Sequence, residues 1–368
     1  MDKAKLERLT KQYLDKVPHI PLDNRELMDK SAPNKSTRIV NGDSSNVVNW
    51  DDTRFPWAFG LYKKMLGNFW TPFEINMHQD IKDFPKMNEE EQDTFLKIIG
   101  LLAFLDSVQT DYSSQIADQL TDSSINALMV LLAQQEVIHN HSYSYILSSL
   151  VEKNRQDEVF EYWKHDPVLI ERNDFLINGY KPFVEDKTVA NLFISIIYDV
   201  MLEGLFFYSG FAFFYDLARS GRMVATSTMI NYINRDEQQH VRLFKETFAA
   251  VKLDFPEFDI PELYELGEEI IRQAAQYEMS WSQYVIGHKF DTINVDELSG
   301  YIRFMANVRA KQLRIPAPFD KQDTNPMSWI KVYEDTDLGK TDFFEQKSRQ
   351  YVKTDDEFDD TEDLELDL

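Results

Sequence analysis

The stretch Gln134-Gln135-Glu136-Val137-Ile138-His139-Asn140-His141-Ser142-Tyr143 decides how the rest of the chain is read. On a helix of 3.6 residues per turn, Glu136, His139 and Tyr143 stand at i, i+3 and i+7 and share one face. That face offers a carboxylate, an imidazole and, about a turn beyond, a phenol. One Glu-x-x-His carries little weight, because exposed helices place Glu and His three apart by chance. A second, Glu237-Gln238-Gln239-His240, follows 101 residues later. Each is preceded by an acid in an apolar run: Asp106 stands 30 residues before Glu136, and Glu203 stands 34 before Glu237. A carboxylate and then Glu-x-x-His on the next helix, twice over, is how a four-helix bundle builds a dinuclear carboxylate metal site.

Composition bounds the alternatives. The 368 residues are 43% hydrophobic and 13% aromatic, enough for a large core, and 12 Gly with 13 Pro argue against a turn-rich all-β fold. A formal net charge of −24 disfavours nucleic acid or an anionic membrane as partner. With no Cys, disulfides, thiolate metal sites and Cys nucleophiles are excluded. The start, Met1-Asp2-Lys3-Ala4-Lys5-Leu6-Glu7, lacks the apolar core of a signal peptide, so a cytoplasmic protein is expected.

Taken in order, residues 1–50 are polar and rich in turn formers, and read as a loosely packed arm. Residues 51–314 read as an all-α metal-binding domain and 315–368 as a C-terminal extension. Apolar spacing predicts a helix over Trp57–Leu66, with Pro72 redirecting the chain after Asn68-Phe69-Trp70. Trp70 taken alone is a core tryptophan. Asn88-Glu89-Glu90-Glu91 starts a long helix through Asp106 to about Ile116. Asp106 by itself could lie at a helix border; if buried, it needs a partner. Ser123-Ser124 caps the next helix, which runs to about Glu152, and the polar stretch 153–186 reads as a connection with a short helix of its own. The run from Leu192 to Tyr215 carries only Asp199 and Glu203 as charges. A central carboxylate is expensive in lipid, so this is a buried bundle helix rather than a membrane span. Helices over about 224–251, 261–287 and 295–313 follow. The segment 355–368 has nine acids and no base, and is expected to be flexible.

Four carboxylates and two imidazoles suit iron or manganese rather than Cu(I) or a zinc–thiolate site. A ferritin-like bundle with such a site can store iron, hydroxylate, desaturate or make radicals, so the fold does not choose. Tyr143 narrows the choice. A phenol one turn from a ligand His is placed to lose an electron to an oxidised metal pair. Phe207, Phe211 and Ile233, sharing faces with Glu203 and Glu237, would wall it off. An ordinary core tyrosine is the competing reading.

Beyond the arm, the chain resembles the small, radical-generating (β) subunit of class I ribonucleotide reductases. The resemblance is carried by Asn68-Phe69-Trp70-Thr71-Pro72, Leu105-Asp106-Ser107-Val108-Gln109, Glu136-Val137-Ile138-His139 with Ser142-Tyr143, Leu202-Glu203 with Phe207-Tyr208, Arg235-Asp236-Glu237-Gln238-Gln239-His240 and Asn325-Pro326-Met327-Ser328-Trp329-Ile330. It implies that Asp106, Glu136, His139, Glu203, Glu237 and His240 hold two metal ions per chain. Diiron is the expected pair; dimanganese or mixed Mn/Fe are the alternatives. Tyr143 would be the stable radical, formed with O2, in a pocket of Phe207, Phe211 and Ile233. Trp70, linked through Asp236 to His139, would begin an electron and proton path that Tyr351 in the tail hands to the large (α) subunit. The acidic tail would dock there, and the subunit would be a homodimer. The product would be deoxyribonucleotides made from ribonucleotides.

The chain departs from the family pattern at Leu132, where some iron-containing members have tryptophan, and at Gly210, where serine is often seen. His141 stands between the ligand and the tyrosine. The alternative function is a ferritin-like dinuclear-metal oxidase or monooxygenase acting on its own substrate, which has no use for Trp70, Tyr351 or the tail. An iron-storage protein is a further alternative, usually with a much shorter chain.

Overall fold

Capping chemistry punctuates this chain, and what it punctuates is helical. The computed structural model describes residues 2–334. Its α-helices are α1 (Lys3–Leu14), α2 (Trp57–Gly67), α3 (His78–Asp83), α4 (Glu89–Ala117), α5 (Ser123–Leu150), α6 (Lys153–Glu161) and α7 (Pro167–Glu185). They continue with α8 (Val189–Met201), α9 (Tyr208–Arg219), α10 (Val224–Asp254), α11 (Pro261–Val285), α12 (Val295–Gln312) and α13 (Lys331–Glu334), and a π-helical segment, Leu202–Phe206, joins α8 to α9. Among the described residues the only β pairing is an isolated bridge between Pro21 and Thr188. The expected all-α class is what the chain adopts.

The helices that carry the predicted ligands start where local chemistry tells them to. Asn88 caps α4 by accepting from Glu91 N at 2.9 Å, and Glu91 reciprocates by accepting from Asn88 N at 3.0 Å. For α5 the cap is Asp122, one residue before the predicted serines. Its carboxylate accepts from Ser124 N and Ile125 N, both at 3.0 Å. The apolar run is the centre of the bundle: every residue of α8 and of the π segment is buried. Val189–Arg219 is the one described stretch long and apolar enough to cross a membrane, and its most apolar window is enclosed by protein.

Two segments differ from expectation. The polar stretch after α5 forms α6 and the 19-residue α7, whose N-terminus is capped by Asp166 and opened by Pro167. Its buried positions are spread among polar residues, so the apolar period was weak. Part of the supposed loose arm is docked: α1 packs on α11, with Tyr13 fully buried and its hydroxyl directed to Phe258 O at 3.4 Å.

The N-terminus of α10 is held from outside. Met223 stands before it in the left-handed region (φ 51°) and offers no side-chain cap. Instead Asp80 of α3 accepts from Ala225 N at 3.0 Å and from Thr226 N and Oγ1 at 2.7 Å. Asp80→Ala is therefore expected to cost about 2 kcal/mol, and Asp80→Asn clearly less, because an amide oxygen still accepts. Urea melts of the two variants check this; an alanine variant as stable as the parent would refute the capping role.

Candidate metal centre

The six predicted residues meet at the middle of the bundle: Asp106 from α4, Glu136 and His139 from α5, Glu203 from the π segment, and Glu237 and His240 from α10. All six are fully buried. They fall into two overlapping groups whose ligand atoms lie within 4.8 Å of one another, Asp106–Glu136–His139 and Glu136–Glu203–Glu237–His240. Glu136 belongs to both. Glu237 also reaches both imidazoles, placing Oε1 3.1 Å from His139 Nδ1 and Oε2 3.0 Å from His240 Nδ1.

The donor set fits cations better than it fits itself. His240 Nδ1 faces Glu136 at 2.9 Å, Glu237 at 3.0 Å and Glu203 at 3.6 Å. One nitrogen carries at most one proton, so it cannot satisfy three carboxylates. Both oxygens of Asp106, Glu136 and Glu203, Oε1 of Glu237 and Nδ1 of His139 are buried with no aligned hydrogen-bond partner among the described residues. Two divalent ions would neutralise the four carboxylates and use these atoms at once. The set is carboxylate and imidazole, the donors that suit iron and manganese.

The far nitrogens of the two imidazoles are held differently. His139 Nε2 lies 3.3 Å from Asp236 Oδ2, and Trp70 Nε1 donates to the same oxygen at 2.9 Å. The Trp70 and His139 rings lie 6.3 Å apart at 25°. His240 Nε2 instead lies 3.1 Å from Gln135 Oε1. A hydrogen bond at the far nitrogen fixes ring orientation and leaves Nδ1 for a metal. Sequence reasoning missed Gln135, because its partner lies 105 residues away and nothing local marks it. Asp199, noticed only as a charge in an apolar run, is fully buried and accepts from Tyr180 OH at 3.3 Å.

Tyr143 is fully buried, and Asp106 is the carboxylate that faces its hydroxyl, without an aligned hydrogen bond. Burial, and then that carboxylate, push the phenol well above its ordinary pKa, so it is a neutral phenol. Phe207, Phe211 and Ile233 are buried, and the two phenyl rings stack 5.7 Å apart at 8°. The departures have plain geometries. A Cβ on Gly210 would stand 3.1 Å from Ile98 Cγ2, so glycine lets α4 close against α9. Leu132 is a core residue. His141 is exposed, edge-on to Phe73 at 4.9 Å, and points away from the cluster. Tyr351 and residues 355–368 lie outside the described residues.

Without metal the cluster stores protons. Burial, and then neighbouring carboxylates, raise Asp106 and Glu203 well above the usual carboxylate range. Burial pulls His139 and His240 down, but Glu136 and Glu203 respectively lead the set of carboxylates that lifts them, and both end well above an ordinary histidine. The folded metal-free state thus holds protons that the unfolded chain gives up, and its stability falls as pH rises. Glu237, held low, has the opposite sign, but its contribution is lost only in acid. Metal-free protein is expected to melt at steadily lower temperature from about pH 6 to about pH 9, and metal-loaded protein less so. Melting curves at several pH values check this, and a flat or rising profile would contradict it.

Comparison with known proteins identifies the family. The family model described as ribonucleotide reductase, small chain, matches residues 47–326. A ribonucleoside-diphosphate reductase subunit beta from Halalkalibacterium halodurans is 59% identical over 332 residues, covering 90% of this chain and 96% of that one. A crystal structure of a putative class I ribonucleotide reductase from Bacillus halodurans superposes with TM-score 0.82 at 57% identity, covering 85% and 100%. The R2 subunit from Clostridium botulinum superposes with TM-score 0.83 at 33% identity, covering 85% and 99%. The all-α bundle is thus the ferritin-like fold of those subunits. The chain belongs to the small-chain family of ribonucleotide reductases, and its function is that of the small subunit of ribonucleoside-diphosphate reductase.

Proposed function

We propose that Asp106, Glu136, His139, Glu203, Glu237 and His240 would hold two metal ions, and that Tyr143 carries the radical. The observation that carries this reading is the set of buried ligand atoms without aligned partners, closing on two positions side by side. A redox-active pair of ions bound there, diiron by preference, would supply an oxidising equivalent drawn from dioxygen. Tyr143 gives up an electron from its phenol, and the Asp106 carboxylate that faces the hydroxyl takes the proton. Phe207, Phe211 and Ile233 keep water and reductants away from the resulting radical.

Trp70, Asp236 and His139 form a continuous line out of the centre through one shared carboxylate oxygen. Oxidation of Trp70 makes its indole proton acidic, and Asp236 Oδ2 accepts that proton 2.9 Å away. From there the reading continues to Tyr351 and the acidic tail, which would bind the large subunit in the cytoplasm. A homodimer is part of the same reading. It is supported by Val130 and Val137, two turns apart on the outer face of α5, which are apolar yet 56% and 55% exposed.

Three variants test these assignments. Tyr143→Phe removes one hydroxyl without an aligned partner, so stability should change by less than about 2 kcal/mol. After addition of ferrous iron and oxygen, it should bind metal normally but show no tyrosyl signal by electron spin resonance, and turnover with the large subunit should stop. Persistence of that signal would move the radical to another residue. Deleting 355–368 should abolish association with the large subunit in a binding titration while leaving the radical yield untouched. Tyr351→Phe should do the reverse: association and radical persist while turnover stops. Full turnover by the tail-deleted chain at low subunit concentration would overturn the docking role.

A further inference from the structure

Where one helical hydrogen-bond register gives way to another, backbone carbonyls need donors from outside the helix. The π segment Leu202–Phe206 is such a place, and it carries Glu203. Two buried arginines supply the donors. From α12, Arg309 gives Nε to Gly204 O at 2.9 Å and Nη2 to the Tyr208 hydroxyl at 2.7 Å. From α7, Arg172 gives Nη2 to Phe206 O at 2.8 Å and lies 4.0 Å over the Phe206 ring. Arg172 is balanced by Glu278 of α11, which accepts from its Nε at 3.0 Å and its Nη2 at 2.6 Å and also accepts from Ser209 Oγ.

Gly204 makes the Arg309 contact possible. A Cβ there would lie 2.4 Å from Arg309 Nε, so any other residue would push the guanidinium off the carbonyl. Arg309 is only 5% exposed, and it donates to a carbonyl, a hydroxyl and the amide oxygen of Gln312, the last at 3.0 Å. A buried guanidinium costs free energy unless its donors are used, and here they are used to hold the backbone beside a predicted ligand.

We infer that Arg309 is a positioning residue for Glu203. By holding Gly204 O and the Tyr208 hydroxyl, it sets the wide turn that aims the Glu203 carboxylate at His240, and so sets the affinity of the metal position those two residues share. Arg172 and Glu278 hold the far end of the same turn. Arg309 is the cleaner of the two to alter, because loss of Arg172 would leave Glu278 buried without its cation. The inference rests on the six-residue metal reading above and adds to it the device that places Glu203.

The test uses the full chain, freed of metal and titrated with Co(II) alone. Equilibrium dialysis gives the two dissociation constants, and the visible Co(II) absorption reports coordination. Arg309→Gln is expected to weaken one position by about 10–100-fold and change its absorption, with the other position unaltered; Arg309→Lys should fall between. In a Glu203→Gln background, Arg309→Gln should have no further effect on metal affinity. Gly204→Ala displaces the guanidinium without removing it and should reproduce the selective loss, which decides the matter if Arg309→Gln does not fold. Unchanged constants, equal weakening of both positions with a lower melting temperature, or full additivity with Glu203→Gln would each overturn the inference. Failure of the unsubstituted chain to take up two Co(II) ions would overturn the six-residue reading itself, and the inference with it.

Discussion

Four carboxylates and two imidazoles stand together where no water reaches, and the rest of the molecule answers to the cost of putting them there. Each isolated ionised carboxylate would be strongly disfavoured in such a place. Here they lie on four different segments, so no single helix can relieve the strain by turning. The bundle has to be rigid enough to hold like charges together and open enough in its donor geometry to receive cations. The capping of α4 and α5, and the docking of Asp80 on the start of α10, serve the first need. The crowding of three carboxylates around His240 Nδ1 serves the second.

The two proposed metal positions are not equivalent. One imidazole is backed by the carboxylate of Asp236 and, through it, by an indole; the other is backed by an amide. A carboxylate behind an imidazole makes it a stronger electron donor than an amide does. The same asymmetry gives the proposed path out of the centre its direction, since only the His139 side connects to Trp70. Glu203 sits on the π-helical segment, a feature that recurs at functional sites because it re-aims a side chain without breaking the helix. Its surroundings are built to keep it: two arginines, one of them ion-paired, meet the carbonyls of Gly204 and Phe206.

Much of this was legible beforehand where the determining interaction is local. The start of α4 could be read from Asn88 and Glu91, because a capping box spans only four residues. The i, i+3 spacing of Glu136 and His139, and of Glu237 and His240, put each pair on one face because helix geometry leaves no choice. The enclosed position of 192–215 followed from an apolar run interrupted only by acids. The reading faltered where burial was bought by distant partners. The polar-looking α7 is a core helix because Arg172 finds Glu278 106 residues away.

By itself the sequence determined the helical class, the four acids and two histidines at the centre, and the tyrosine beside them, because periodicity and spacing are properties of a chain segment alone. Only the tertiary structure decided which nitrogen of each histidine faces the carboxylate cluster, which partner backs it, how Asp80 starts α10, and why Gly204 can only be glycine. Those outcomes depend on contacts between residues about one hundred positions or more apart. No local pattern encodes such pairs; they exist only once the packed bundle has excluded water and left each buried polar atom to find whatever donor or acceptor the neighbouring helix presents.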